Sequence, residues 1–102
     1  MQEVMIKGLE NEALQIALSG DIDLGNAEEF YKTVADGYQQ TPADIRFDCA
    51  ALDFIDSTTL GTFVKILKMV KADGYKMRLT GLQPKIKKLF VICSLDQIIE
   101  LD

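Results

Sequence analysis

Asp53-Phe54-Ile55-Asp56-Ser57-Thr58-Thr59-Leu60-Gly61 is the hinge of the 102-residue chain, because the hydrophobic period changes across it. Upstream, Ile45, Phe47 and Cys49 alternate with Asp44, Arg46 and Asp48. A period of two is the mark of a strand with one buried face. Ala50 to Asp56 reads as a connector that carries Leu52, Phe54 and Ile55. From Ser57 onward the apolar residues are Leu60, Phe63, Val64, Leu67 and Val70, with Gly74 as a C-terminal stop. That is the stripe of an amphipathic helix. The small polar residues of the segment therefore sit where a helix begins.

The same reading extends in both directions. Residues 3–7 form a short strand, and Gly8 to Glu12 form a turn that is not of the two-residue Asn-Gly type. Leu14, Ile16 and Leu18 then alternate with polar or small residues, which completes a β-hairpin. Gly20-Asp21-Ile22-Asp23 breaks the strand. Asn26, with Glu29 three residues on, looks like a helix cap. Ala27, Phe30, Tyr31, Val34 and Tyr38 follow on one helical face, which ends near Gln40, before Pro42. Beyond Gly74, Lys76 to Thr80 is a strand with Met77 and Leu79 inward. Pro84 opens a helix with Ile86, Leu89, Phe90 and Cys93 on its buried face. Ile98 to Leu101 is a last short strand.

The order is β-β-α-β-α-β-α-β. A parallel sheet covered on both faces would read as continuous Val, Ile and Leu. These strands alternate instead. The expected fold is thus mixed α/β, with a four- to five-stranded mixed sheet and helices mainly on one face, in a single domain over residues 1–102.

Composition narrows the function. With 48% hydrophobic and 26% charged residues, the chain has the balance of a folded globular domain. It has no His, which removes His-based acid/base chemistry and His metal ligands. Cys49 and Cys93 form no CxxC and lie in apolar runs, so both are expected to be buried, reduced thiols and neither a metal ligand. The start of the chain has no signal-peptide pattern, and no apolar run reaches the ~20 residues of a membrane span. The expectation is a cytoplasmic protein without membrane insertion.

The net charge of −5 is unevenly distributed: residues 1–64 carry −9 and residues 65–102 carry +4. With only Arg46 and Arg78 as arginines, the basic half reads as solvated helix faces, not a nucleic-acid surface. The sequence lacks GxxxxGK[ST], GxGxxG and GxSxG. Paired acids, Asp21 with Asp23 and Asp53 with Asp56, are what twelve acids in 64 residues produce by chance. No catalytic residue, metal site or cofactor is expected.

At the hinge, Asp56 or Ser57 could simply cap the helix. On a helical wheel the face opposite the apolar stripe carries Thr58, Gly61, Thr62, Lys65, Lys68 and Met69, with Ser57 at its edge. Gly inside a helix costs up to ~1 kcal/mol relative to Ala, and close approach by another molecule is one reason to keep it. A Ser at a helix N-terminus also suits a phosphate, because the free N–H groups and the helix dipole favour an anion there.

Asp56-Ser57-Thr58-Thr59-Leu60-Gly61 resembles the Asp-Ser-Ser/Thr-Gly-Leu-Gly motif of the STAS domain family, in particular its small bacterial anti-sigma factor antagonists. Gly20-Asp21-Ile22-Asp23 is similar to that family's Gly-Glu-Leu-Asp turn. Leu79-Thr80-Gly81-Leu82-Gln83-Pro84, with Ile86, Leu89 and Phe90, is similar to its final strand-to-helix passage. The resemblance spans almost the whole chain. It implies a partner-switching module that binds a serine-kinase anti-sigma factor, is released when that kinase phosphorylates Ser57, and is restored by a metal-dependent serine phosphatase. It places Asp23, Asp56 and Thr58 around the phosphosite. The expected partner surface is Gly61, Thr62 and Lys65 with the Gly20–Asp23 turn. Thr59 stands where the family has Gly, and Thr58 is a second candidate for modification. The alternatives are a STAS-type subunit of a lipid-transport or stress-signalling assembly that is never phosphorylated, and a small enzyme using the acidic pairs.

Overall fold

The computed structural model describes residues 4–102. Residue 3, the first of the expected N-terminal strand, lies outside the described part. Within it, the elements are β1 (Val4–Glu10), β2 (Ala13–Ile22), α1 (Ala27–Gln40), β3 (Asp44–Ile55), α2 (Ser57–Ala72), β4 (Met77–Thr80), α3 (Pro84–Ile92), a 3₁₀ turn (Leu95–Gln97) and β5 (Glu100–Leu101). The strands form one sheet in the order β1-β2-β3-β4-β5. β1 and β2 are antiparallel, and the other neighbours are parallel. The mixed sheet expected from the alternating strands is present. Its buried side chains, including Leu14, Ile16, Leu18, Ile45, Phe47, Met77 and Leu79, share one core cluster with the inner faces of all three helices.

Phe63 of α2 is the hub of that core. Its ring meets Phe30 of α1 at 5.3 Å, Phe47 of β3 at 5.5 Å and Phe90 of α3 at 5.4 Å, all edge to face. Such geometry favours aromatic pairs beyond their area burial. Gly37 lets α1 lie close to β1, since a Cβ there would come within 2.8 Å of Ile6 Cδ1.

Four expectations are corrected. The hairpin turn is a two-residue turn, Asn11-Glu12, with Glu10 opposite Ala13. Both residues have positive φ, 53° and 65°, the conformation that matches the twist of paired strands. Gly8 instead marks an irregularity within β1, between the Ile6 and Gly8 pairings. The sequence hides this turn because Glu stands where Gly is usual.

The second correction is β3, which runs unbroken through the supposed connector to Ile55. Against β2 it gains one residue between Asp48 and Ala51, and a second between Leu52 and Phe54. Each insertion resets the alternation, so burial falls at Cys49, Leu52 and Ile55, and a period of two becomes a period of three.

Third, Cys93 is exposed, and so is Leu89, while Ile86 and Phe90 alone carry the buried face of α3. Cys93 falls on the cap residue after the last turn, past the part of the helix that the sheet covers. Cys49 is buried as expected.

Fourth, the inner face of α2 is Thr59, Leu60, Phe63, Ile66, Leu67 and Val70, and Val64 is only half-buried. The stripe is rotated slightly from the one that the apolar residues alone define, because Thr59 points inward.

Candidate functional site

Ile22 and Ile55 are register partners on neighbouring parallel strands. Asp23 and Asp56 are each the next residue, so two segments far apart in sequence leave the sheet side by side. This places a turn at Asp23–Asn26 against the start of α2; the expected break at Gly20–Asp23 is corrected, since β2 runs on to Ile22.

Asp56 joins the two. Its Oδ1 accepts the backbone N–H of Thr59 at 3.0 Å, the N-cap bond of α2. Its Oδ2 accepts the backbone N–H of Leu24 at 2.9 Å. These donors stabilise the charged carboxylate. They hold its pKa below the usual carboxylate value, the bond from the Thr59 backbone contributing most and partial desolvation opposing it.

The turn is held just as fully. Asn26 Oδ1 accepts from the Asp23 N–H at 2.8 Å, and its Nδ2 donates to the Asp21 carbonyl at 2.9 Å. Asp23 Oδ1 accepts from the Gly25 N–H at 2.9 Å. The Asp23 carbonyl takes the N–H groups of Asn26 and Ala27. Asn26 precedes α1 as expected, but its side chain caps no N–H of that helix; it braces the turn.

With Asp56 as the cap, Ser57 is the first residue of α2 and is exposed. Its hydroxyl makes no hydrogen bond within the described residues, and Thr58 beside it is also exposed. The capping role that the sequence left open between Asp56 and Ser57 falls to Asp56.

Thr59, in contrast, is fully buried. Its hydroxyl lies 2.5 Å from the Ile22 carbonyl oxygen and 3.1 Å from Asp56 Oδ1, so one proton faces two acceptors. The β-branched residue at this position therefore bonds the end of β2 to the start of α2. It adds no bulk to the outer face of the helix.

Along that outer face, a Cβ placed on Gly61 would meet nothing within 4 Å. Thr62 is half-buried, and its hydroxyl donates to the Thr58 carbonyl at 3.0 Å. Lys65 lies over the ring of Tyr31 in α1, with Nζ 4.2 Å from the centroid. The structure thus brings Asp23, Asp56, Ser57 and Thr58 together and sets Gly61, Thr62 and Lys65 in line behind them. Sequence reasoning missed Leu24, Asn26 as a brace, the inward Thr59 and Tyr31. A Leu between Asp23 and Gly25, in a turn otherwise built of small and polar residues, was the available signal for the first of these.

The chain is similar in sequence and in fold to known proteins. The anti-sigma-B factor antagonist of Bacillus subtilis (strain 168) is 34% identical over 98 residues, covering 96% of this chain and 88% of that protein. An anti-sigma factor antagonist from Mycobacterium paratuberculosis superposes with a TM-score of 0.84 at 15% identity, covering 96% of this chain and 82% of the other. The phosphorylated form of the Bacillus cell fate determinant SpoIIAA gives a TM-score of 0.74 at 19% identity, covering 97% and 90%. At these identities the two solved structures establish a shared fold. The sequence profile of the STAS domain matches residues 4–102, and the chain belongs to the STAS domain family.

Proposed function

We propose that this chain is an anti-sigma factor antagonist that binds a serine-kinase anti-sigma factor and is switched off by phosphorylation of Ser57. The observation that carries this reading is the division of labour at the start of α2. Asp56 takes the cap, and the Ser57 hydroxyl is left exposed with no hydrogen-bond partner among the described residues. A relative named as an anti-sigma-B factor antagonist, 34% identical along nearly the whole chain, supports the reading. The role is regulatory binding and not catalysis.

The kinase transfers the terminal phosphoryl group of ATP to Ser57 Oγ, which gives up its proton, and ADP leaves. A metal-dependent serine phosphatase hydrolyses the ester and restores the hydroxyl. Phosphate adds about −1.5 to −2 charges at neutral pH. The positive end of the α2 dipole favours it by about 0.3–1 kcal/mol, while Asp56 and Asp23 oppose it. These effects nearly offset, so the fold is indifferent to the modification. The partner face is not, because an uncompensated charge buried at an interface costs several kcal/mol.

The test is the affinity of wild type, Ser57→Ala and Ser57→Asp for the kinase, with thermal melts and mass spectrometry after incubation with ATP. All three forms melt alike. Ser57→Ala binds as wild type and takes up no phosphate. Ser57→Asp loses affinity by about 10² or more, since 1.4 kcal/mol is tenfold. Equal affinities for the three forms, or phosphate found on Thr58, sink the assignment to Ser57.

A further inference from the structure

Leu24 stands beside the phosphosite with 74% of its surface exposed, the highest value among the large apolar side chains described. A leucine in that state is ordinary on a floppy loop, and this loop is not floppy. Its own N–H is bonded to Asp56, the residue that caps α2. The residues on either side are tied by the bonds from Asp23 to Asn26 and from Gly25 to Asp23. Asn26 reaches back to Asp21. The fold therefore holds an apolar side chain out into water, at a set distance from Ser57. The Leu24 side chain has no hydrogen-bonding role that would require it there.

We infer that Leu24 is the apolar anchor of the kinase-binding face, seated in a hydrophobic pocket of the anti-sigma factor whose rim is basic. This rests on the antagonist reading and names a contact within it. The pocket is apolar because Leu offers only hydrocarbon. The rim is basic because Leu24 is surrounded by carboxylates, with Asp21 and Asp23 before it and Asp56 bonded to its backbone. An anchor whose backbone is already tied loses less conformational freedom on binding than one on a loose loop, so more of its burial appears as affinity. Because Asp56 ties the loop to the first turn of α2, a partner seated on Leu24 covers the Ser57 hydroxyl as well. Phosphorylation then places its charge inside the same contact.

The experiment measures binding of the purified serine-kinase anti-sigma factor, with ADP, to wild type, Leu24→Ala, Leu24→Met and Leu9→Ala. Thermal melts and steady-state phosphorylation accompany it. Leu9 is the control: it is 57% exposed but pairs with Leu14 at the far end of β2. At ~3.3 Å per residue, that is about 26 Å from Ile22. The expected result is a tenfold or greater loss of affinity for Leu24→Ala, read as a raised KM with little change in kcat and an unchanged melting temperature. Taking one leucine's hydrocarbon surface out of water suffices for that factor. Leu24→Met, similar in volume, stays within about threefold of wild type, and Leu9→Ala matches wild type. Leu24→Ala binding within twofold of wild type overturns the anchor, as does an equal loss for Leu9→Ala, while the antagonist reading stands in either case. A wild-type protein that neither binds the kinase nor accepts phosphate overturns the antagonist reading and the anchor with it.

Discussion

At the scale of single residues, Asp56 does most to shape the site, because one carboxylate serves two segments. Its lowered pKa has a stability consequence with a definite sign. A carboxylate whose folded value lies below its unfolded value stabilises the fold at pH above the unfolded value of about 3.9. That contribution is lost as pH falls through the folded value. Acid melts of Asp56→Asn, which keeps a capping side chain but cannot ionise, are expected to lose less stability between pH 5 and 2 than those of wild type; parallel acid limbs would contradict this. The two cysteines separate cleanly at the same scale. Cys49 is buried and its thiol is pushed up to about 12, chiefly by desolvation, with the charge of Asp48 adding to it. Cys93 is exposed. Since the thiolate is the reactive form, labelling of native protein at pH 8 is expected to modify one thiol quickly, and peptide mapping should place it at Cys93. Cys49 should react only on unfolding. Two fast thiols, or none, would be inconsistent with the burial seen.

At the scale of elements, the hairpin and β3 show how a local irregularity positions something elsewhere. Glu12 occupies a left-handed conformation that costs a non-glycine residue about 1–2 kcal/mol. Glu12→Gly relieves that strain but frees the unfolded chain, so the net gain is expected at about 0.5–1 kcal/mol. A denaturant midpoint shifted upward without a change in slope would show it; a downward shift would mean that the Glu side chain contributes more than the turn does. In β3 the two extra residues bring Ile55 into register with Ile22. Their effect is to deliver Asp56 and Ser57 to the strand end beside Asp23. The features that made β3 hard to read are thus the ones that align the site.

For the molecule as a whole, the helices are coupled through Phe63, which touches aromatic rings of α1, β3 and α3. Ser57 lies on the same helix, six residues earlier. Phe63→Ala is expected to cost about 3–5 kcal/mol, a large share of the 5–15 kcal/mol typical of a domain. Chemical denaturation would measure it. A loss under 1 kcal/mol would mean that the core repacks around the gap and that the hub is not one. Among the described residues no helix is long and apolar enough to cross a membrane, which accords with a core assembled by helices lying across one face of a sheet.

Sequence by itself determined the element order and the one-sided sheet, and it put forward Asp23, Asp56, Ser57 and Thr58, at the start of α2, as a candidate site. These are legible because period and motif are properties of near neighbours: side chains two or three to four positions apart share a face whatever the rest of the chain does. Tertiary structure alone decided which residue caps α2, where the Thr59 side chain goes, and that Leu24 is held outward. Asp56, Ser57 and Thr59 can all accept a backbone hydrogen bond locally, and their composition does not rank them. The choice was made by the Leu24 N–H, which donates to Asp56, and the Ile22 carbonyl, which accepts from Thr59, both more than thirty residues away in sequence. Those partners exist at the site only because two parallel strands end together.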